Sequence, residues 1–499
     1  VTGRAAVCLA TSGPGATNLL TAIADARLDS LPLVAITGQV PPALIGTDAF
    51  QEVDTYGLTL PITKHNFLVR SIAELLETVP LAFTLAESGR PGPVAIDVPK
   101  DVLNARMTVT NWPAPGGREP APACPEDRIE ALARQLMAAK RPIIYLGGGI
   151  IASGASAAAL DLARRISAPI VSTLMALGAV PADDPLFMGM LGMHAARGTN
   201  FLLEEADLLL AVGARFDDRA TGKVAEFCPQ ATIAHIDIDR AEIGKIKQPF
   251  LGLVGDAAAI LEKLLDRVPS QARRTWLDRA AALREEYPLQ HPPAADEPLH
   301  PINLCRHLGE LLPDDAIITT DVGQHQMWVA QAYPFKRPRT LLTSGGLGTM
   351  GFGLPAAIGA ALAAPGRRVV CVSGDGSILM NIQELATLAE LDLPVAVLVF
   401  NNGHLGLVRQ QQELFYQQHY AGSRFHAAPD FAALAWAFGL RGLRLDPSDD
   451  PLAALATALA LPGPCVIDIP IHEATNVYPM VPPGAANHQM IIEPASSHA

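Results

Sequence analysis

Near-continuous apolar runs alternate along this chain with segments of helical periodicity, and that alternation leaves few folds open to it. AAVCLAT (5–11) gives way to SGPGATNLLTAIADARLDS and then to LPLVAITGQ (31–39). RPIIYLGGG, APIVSTL, ADLLLAVGARF and ATIAHIDID repeat the scheme between residues 141 and 239. AIITTDVG, RRVVCVSGDG and LPVAVLVFNN do so between 316 and 402. A strand apolar on both faces must be covered on both, which parallel sheets achieve with crossover helices. The expected class is therefore α/β, with three open parallel-sheet domains. Two stretches rich in proline and glycine, NWPAPGGREPAPACPED (111–127) and YPLQHPPAADEPLHP (287–301), resist regular structure and divide the chain into 1–110, 125–285 and 298–499. Ligands of such sheets lie beyond the carboxyl ends of the strands, so polar strand endings are where chemistry is expected.

Composition excludes some partners. The 37 Lys and Arg against 50 Asp and Glu leave a formal charge of −13, which disfavours nucleic acid or an anionic membrane surface. No apolar run reaches about 20 residues and no signal peptide is evident, so a cytoplasmic protein is expected. The six cysteines include no CxxC pair, which in a long chain reads as reduced thiols. The opening VTGRAAVCLA lacks Met and reads like the middle of a fold entering a strand.

The most informative polar endings are Gly374-Asp375-Gly376 and Asn401-Asn402. Residues 368–373 form an expected strand, SILMNIQELATLAEL (377–391) has helical periodicity, and 394–400 form the next strand. A helix of about 15 residues rises roughly 22 Å, and a seven-residue strand returns about 23 Å. One right-handed crossover then brings Asp375 and Asn402 to the carboxyl ends of two parallel strands. One carboxylate and one neutral oxygen suit a hard cation such as Mg²⁺, which keeps positions free for phosphates. The glycines admit a phosphate closely, and a helix starting at Ser377 adds N–H groups and a favourable dipole. A metal–diphosphate site is expected; the alternative is an ordinary strand-to-helix turn with an Asp cap. The GLGTMG stretch (346–351) matches a dinucleotide fingerprint but lacks the acid about 20 residues on, so no nicotinamide site is expected.

Gly-Asp-Gly followed by a helix, a strand and Asn-Asn resembles the thiamine-diphosphate motif. SGPGATN (12–18), GTDAFQEVD (46–54), SGRPGPVAIDVPKD (88–101), LGMHAARGTN (191–200), GARFDDRATGK (213–223), TTDVGQHQMW (319–328), GLGTMGFGLPAAIGA (346–360) and VPPGAANHQM (481–490) narrow the likeness. Together they resemble the catalytic subunits of the acetolactate synthase (acetohydroxyacid synthase) family, from the first residue almost to the last. The ARFDDRATGK and VPPGA stretches are the specific ones.

The resemblance implies Mg²⁺ on Asp375, Asn402 and the His404 carbonyl. It places the thiamine diphosphate against Val322, Gly323, Gln324, His325, Gly348, Gly374, Gly376, Ser377 and Leu405, with Met350 bending the cofactor. It implies a structural FAD on Arg90, Gly147, Gly148, Gly149, Met193, His194, Arg215, Asp217, Asp237 and Glu242. Of these, Asp237 has its own warrant, because IDID sets an acid at a strand end where ribose hydroxyls would want one. Gln51 and Lys100 match active-site positions, and Arg219 matches the residue that grips the second substrate's carboxylate, a task suited to a planar fork. The implied reaction decarboxylates pyruvate and joins the remaining two carbons to a second 2-keto acid, giving 2-acetolactate or 2-aceto-2-hydroxybutyrate. Gln411 stands where the family usually has Trp, which implies weaker selection for 2-ketobutyrate. A homodimer or homotetramer is implied, with a possible small regulatory subunit. The family's catalytic glutamate lies before SGPGATN and has no counterpart here, so a truncated first domain and an inactive chain are expected. Glyoxylate carboligase, pyruvate oxidase, an FAD-free acetolactate synthase and a non-catalytic remnant are the alternatives.

Overall fold

A computed structural model describes residues 1–289, 297–447 and 449–492. It contains three parallel sheets. The first is built from β1 (Ala6–Ala10), β2 (Leu33–Gln39), β3 (His65–Leu68) and β4 (Pro93–Pro99), in the order β1-β2-β4-β3. The second takes β5 (Pro142–Leu146), β6 (Ile170–Ser172), β7 (Phe187–Met190), β8 (Leu208–Val212), β9 (Thr232–Asp237) and β10 (Leu251–Val254), in the order β10-β9-β8-β5-β6-β7. The third takes β11 (Ile317–Thr320), β12 (Leu341–Leu342), β13 (Val369–Gly374), β14 (Val395–Asn401), β15 (Arg441–Arg444) and β16 (Cys465–Pro470), in the order β12-β11-β13-β14-β16-β15. Each quoted apolar run contains a strand. Residues 105–125 hold neither helix nor strand, while part of the second proline-rich stretch, 290–296, lies outside the described residues.

Period-two burial explains the apolar runs. In β14, Ala396, Leu398 and Phe400 enter one core, and Val395, Val397 and Val399 enter another. β13 divides in the same way, with Val370 and Val372 on one side and Val369 and Cys371 on the other. Each such side chain contributes roughly 1.5–3 kcal/mol on burial. The first of these cores also contains Ile144, Leu146 and Leu210 of the second sheet. The second and third sheets accordingly form one compact unit, with Ala123–Thr343 and Met350–Ala499, while Thr2–Pro122 and Ser344–Thr349 form another. All six cysteines are unpaired thiols, and among the described residues no helix is long and apolar enough to cross a membrane.

The helix expected over 377–391 is not continuous. Helices Asp375–Ile378 and Glu384–Glu390 flank a turn. Asn381 breaks the ladder, since its side-chain amide donates to the Gly351 carbonyl at 2.8 Å. Its own carbonyl accepts from Glu384 N–H, restarting the helix. A short polar side chain competes here with the backbone for hydrogen bonds.

In the first sheet, helix Ile72–Glu87 packs over β4, and Ser71 caps it by accepting from Glu74 N–H at 3.2 Å. Asp97 of β4 is buried, accepting from Thr37 Oγ1 at 2.7 Å and Gln39 Nε2 at 2.9 Å. Burial pushes its carboxyl up to about 6, from 3.8 in the unfolded chain, although both hydrogen bonds oppose the rise. The folded chain therefore holds the extra proton between about pH 4 and 6. This group's contribution is fully present below pH 4 and is lost as pH rises to 6. Asp97→Asn can keep both contacts without that loss. Relative to the variant, wild type should lose up to about 3 kcal/mol between pH 4 and 7 in urea melts. A difference between the two proteins that does not vary with pH would disprove it.

Candidate functional site

Three neighbouring strands of the third sheet end together. Thr320 of β11 pairs with Val372 of β13, and Gly374 of β13 pairs with Phe400 of β14. The segments 321–325, 375–377 and 402–405 thus leave adjacent strand ends, as the crossover lengths require. Asp375 is 2% exposed, and its Oδ1 accepts from Gly376 N–H at 2.8 Å. Its buried Oδ2 has no hydrogen-bond partner. Burial pushes this carboxyl up to about 6, against the backbone N–H groups of Gly376, Gly403 and His404, which favour its charged form. A carboxylate oxygen aimed at nothing is costly, and a cation is one group that would satisfy it. Among the described residues no three His, Cys, Asp or Glu side chains cluster in a way that could hold a metal. A cation here would have one carboxylate, with amide, main-chain and ligand oxygens completing its shell, a set that suits Mg²⁺.

Asn402 lies across from Asp375. Its Oδ1 accepts from His404 N–H at 3.1 Å, and His404 Nδ1 lies 2.9 Å from the Asn402 carbonyl. His325, on the helix that opens at Gln324, is buried with its Nε2 unpartnered. Burial pushes its imidazole down to about 3, so it is neutral at physiological pH. Its ring fits only because residue 374 is glycine, where a Cβ would come 2.9 Å from Nδ1. Ser377 Oγ donates to the Val322 carbonyl at 2.8 Å, tying the first segment to the second. Leu405 covers Gly376, whose added Cβ would lie 2.6 Å from Leu405 Cδ2. Met350, half-buried, precedes Gly351, whose N–H donates to Asp321 Oδ1 at 2.7 Å.

Asp321 was not singled out from sequence. It also accepts from Val322 N–H at 3.0 Å and from Ser373 Oγ at 3.1 Å, so one buried carboxylate braces three segments of the site. Its place in the strand-ending TTDVG was the available signal.

A second set gathers at the ends of β5, β8 and β9, which are neighbours in the second sheet. Gly147–Gly149 follow β5 and pack against Gly213 after β8, with Gly149 N–H donating to the Gly213 carbonyl at 3.1 Å. Arg215 follows, and Asp217 caps helix Asp218–Thr221. Asp237 ends β9 and accepts from Asp239 N–H at 2.8 Å. Glu242 is buried, with Oε1 3.1 Å from Lys245 Nζ. Met193 N–H donates to the Arg219 carbonyl at 2.8 Å, and the exposed Arg219 guanidinium lies 3.6 Å from Met193 Sδ. His194 lies with its Nδ1 3.1 Å from the Pro479 carbonyl, and burial pushes it down to about 4.

Gln51, Lys100, Arg90 and Gly348 belong to the unit of the first sheet. Gln39 Nε2 donates to both Val53 O and Asp97 at 2.9 Å, which fixes the loop bearing Gln51 at the sheet edge where Lys100 opens helix Lys100–Asn104. Arg90 Nε donates to Ser30 Oγ at 2.8 Å. Gly345 and Gly346 N–H groups donate to the Asp29 carboxylate at 2.9 and 2.7 Å, so the first glycine of the dinucleotide-like stretch and the one before it meet the chain's own acid. Gln411, on helix Gly406–Phe415, lines a cavity of about 490 Å³ with Val408, Phe415, Tyr416 and His419.

Known proteins resemble this chain along most of its length. Residues 1–58 match the thiamine pyrophosphate enzyme N-terminal TPP binding domain, 129–264 the central domain, and 321–469 the C-terminal TPP binding domain. The first match starts at residue 1, and the expected loss of the front of that domain is not borne out by it. The chain is 55% identical to the acetolactate synthase isozyme 1 large subunit of Escherichia coli, covering 98% of this chain and 87% of that one. It is 47% identical to the isozyme 2 large subunit of the same organism, over 98% and 88%. Against the chloroplastic acetolactate synthase 2 of Zea mays it is 45% identical, over 98% and 79%.

Proposed function

This chain belongs to the acetolactate synthase large-subunit family of thiamine pyrophosphate enzymes, and from that premise we propose how its residues divide the work. It condenses pyruvate with a second 2-keto acid, with loss of CO₂, in branched-chain amino-acid biosynthesis. Thiamine diphosphate, when bound, supplies the electron sink for decarboxylation. The buried, unpartnered Asp375 Oδ2 at the junction of three strand ends is the observation that carries the reading. Asp375, Asn402 and the His404 carbonyl hold Mg²⁺. Val322–His325, Gly374, Gly376, Ser377 and Leu405 hold the diphosphate, and Met350 holds the thiamine rings.

The second sheet holds FAD through Gly147–Gly149, Met193, His194, Arg215, Asp217, Asp237 and Glu242. Gln51 and Lys100 orient the substrate, and Arg219 takes the carboxylate of the second keto acid. The three domains run over 1–110, 125–285 and 298–499, in a cytoplasmic homodimer or homotetramer that a small regulatory subunit can join.

Gln411 sets acceptor choice, because an amide gives an extra methylene less apolar surface than an indole would. One experiment tests both function and choice. Given equal pyruvate and 2-ketobutyrate, wild type should release both acetohydroxy acids, and Gln411→Trp should shift the ratio toward the larger by about tenfold. Release of neither product by a chain that also fails to bind thiamine diphosphate would reject the function, release of neither with the cofactor bound would bear out the expected inactivity, and an unchanged ratio would reject the role of Gln411.

A further inference from the structure

Gln410 lies about 100° round the helix from Gln411 and is fully buried. Its Oε1 accepts from Gln324 Nε2 at 2.9 Å and from Val477 N–H at 2.9 Å. Its Nε2 donates to the Val477 carbonyl at 3.0 Å and lies 3.4 Å from Met480 Sδ. Gln324 Nε2 also donates to the Thr475 carbonyl at 3.2 Å, which leaves Gln324 Oε1 to accept from Asn402 Nδ2 at 3.2 Å. Three amides thus stand in series.

An amide can be reversed in place without changing its shape, so its direction must come from neighbours with fixed polarity. Main-chain groups supply that polarity at both ends of this series. Reversing Gln410 would set its NH₂ against the Val477 N–H and its oxygen against the Val477 carbonyl. Gln410 must therefore show oxygen to Gln324, Gln324 must show NH₂ to Gln410 and oxygen to Asn402, and Asn402 must show NH₂ to Gln324. At the far end, His404 N–H donates to Asn402 Oδ1, which agrees with that direction. Asn402 Oδ1 is consequently turned away from Gln324. The last contact exists because residue 406 is glycine: a Cβ there would lie 2.0 Å from Gln324 Oε1 and 2.8 Å from Asn402 Nδ2.

We propose that Gln410 is a positioning residue whose amide, fixed by the Val477 backbone, orients Gln324 and through it the oxygen that Asn402 offers to a cation. This rests on the metal reading given above for Asp375 and Asn402. Gln410→Met preserves length and removes every polar contact. Gly406→Ala leaves Gln410 in place and blocks the Gln324–Asn402 bond instead. The measurement is binding of thiamine diphosphate, followed by calorimetry at fixed cofactor while Mg²⁺ is varied, with melting temperature recorded for each protein. Half-saturating Mg²⁺ should rise about 10–100-fold in both variants, the usual effect of losing an outer-shell partner. A purely structural role would lower the melting temperature and leave half-saturation unchanged, which would overturn the proposal. Should Gln410→Met fail to fold, Gly406→Ala decides by the same criterion. Mg²⁺-independent binding by wild type would remove the metal reading and the proposal with it, whereas Mg²⁺-dependent wild type with unaffected variants would remove the proposal alone.

Discussion

Asp375→Asn should give a folded protein that no longer retains thiamine diphosphate. The carboxylate is buried, and burial pushes it up to about 6 in spite of the backbone N–H groups around it, so the apo fold holds a charge it would be more stable without. An asparagine keeps the acceptor for Gly376 N–H and removes that cost. Wild-type and variant apo-proteins should therefore melt within a few degrees of each other, the variant no lower. Cofactor binding should respond oppositely, because Asp375 is the one charged protein ligand in the assigned set. Stripping one partner from a buried charge pair costs about 3–5 kcal/mol, which is a loss of about 10²–10⁴ in affinity. Titration of Mg²⁺ and thiamine diphosphate into both proteins checks it, and near-equal affinity would defeat the metal assignment.

Gly147→Ala should be the most damaging small substitution in the second sheet. A Cβ at 147 would lie 2.1 Å from the Gly213 carbonyl oxygen and 2.5 Å from Ala214 Cα. Both are main-chain atoms on the neighbouring strand exit, so no rotamer relieves the clash. Gly147 N–H also donates to Val212 O at 2.9 Å, and this bond would lengthen if the exits separated. The expected loss is about 3 kcal/mol or more, at the upper end for overpacking. Gly148→Ala is the control, since its Cβ would first meet the side-chain Cβ of Met175 at 3.3 Å. Urea midpoints should separate the two variants clearly, and on the proposed flavin reading of this sheet Gly147→Ala should bind FAD more weakly than Gly148→Ala. Equal midpoints would show that the strand exits can part without cost. The contact also means that two of these glycines serve the fold before they serve a ligand.

Strand positions and the convergence of Asp375 with Asn402 were legible in the sequence because both follow from periodicity and length. Val395–Phe400 is apolar at every position, and only a strand buried on both faces needs that. The break at Asn381 was not legible, since SILMNIQELATLAEL keeps a helical pattern throughout, and only the Gly351 carbonyl brought near by the fold draws the asparagine out. Gln410 was hidden for a different reason. Residues 410–412 are three glutamines, and nothing in their chemistry distinguishes the one that begins an amide series from the two that line a cavity. The helix resolves them by turning about 100° per residue. Gln51, Lys100 and Arg90 rested on family likeness alone, for each is an ordinary polar residue in a loop or at a helix start.

The pairing of β13 with β14 has one more consequence. Sliding β14 by a single residue would carry Asn402 about 3.3 Å along the strand and exchange the two cores entered by Val397 and Leu398. Intermediate offsets satisfy neither side, so the strand is indexed to its neighbour in discrete steps, like a toothed rack. Small thermal distortions elsewhere cannot accumulate into a drift of the asparagine relative to the aspartate, and the spacing of the two oxygen donors is set by the pitch of the sheet.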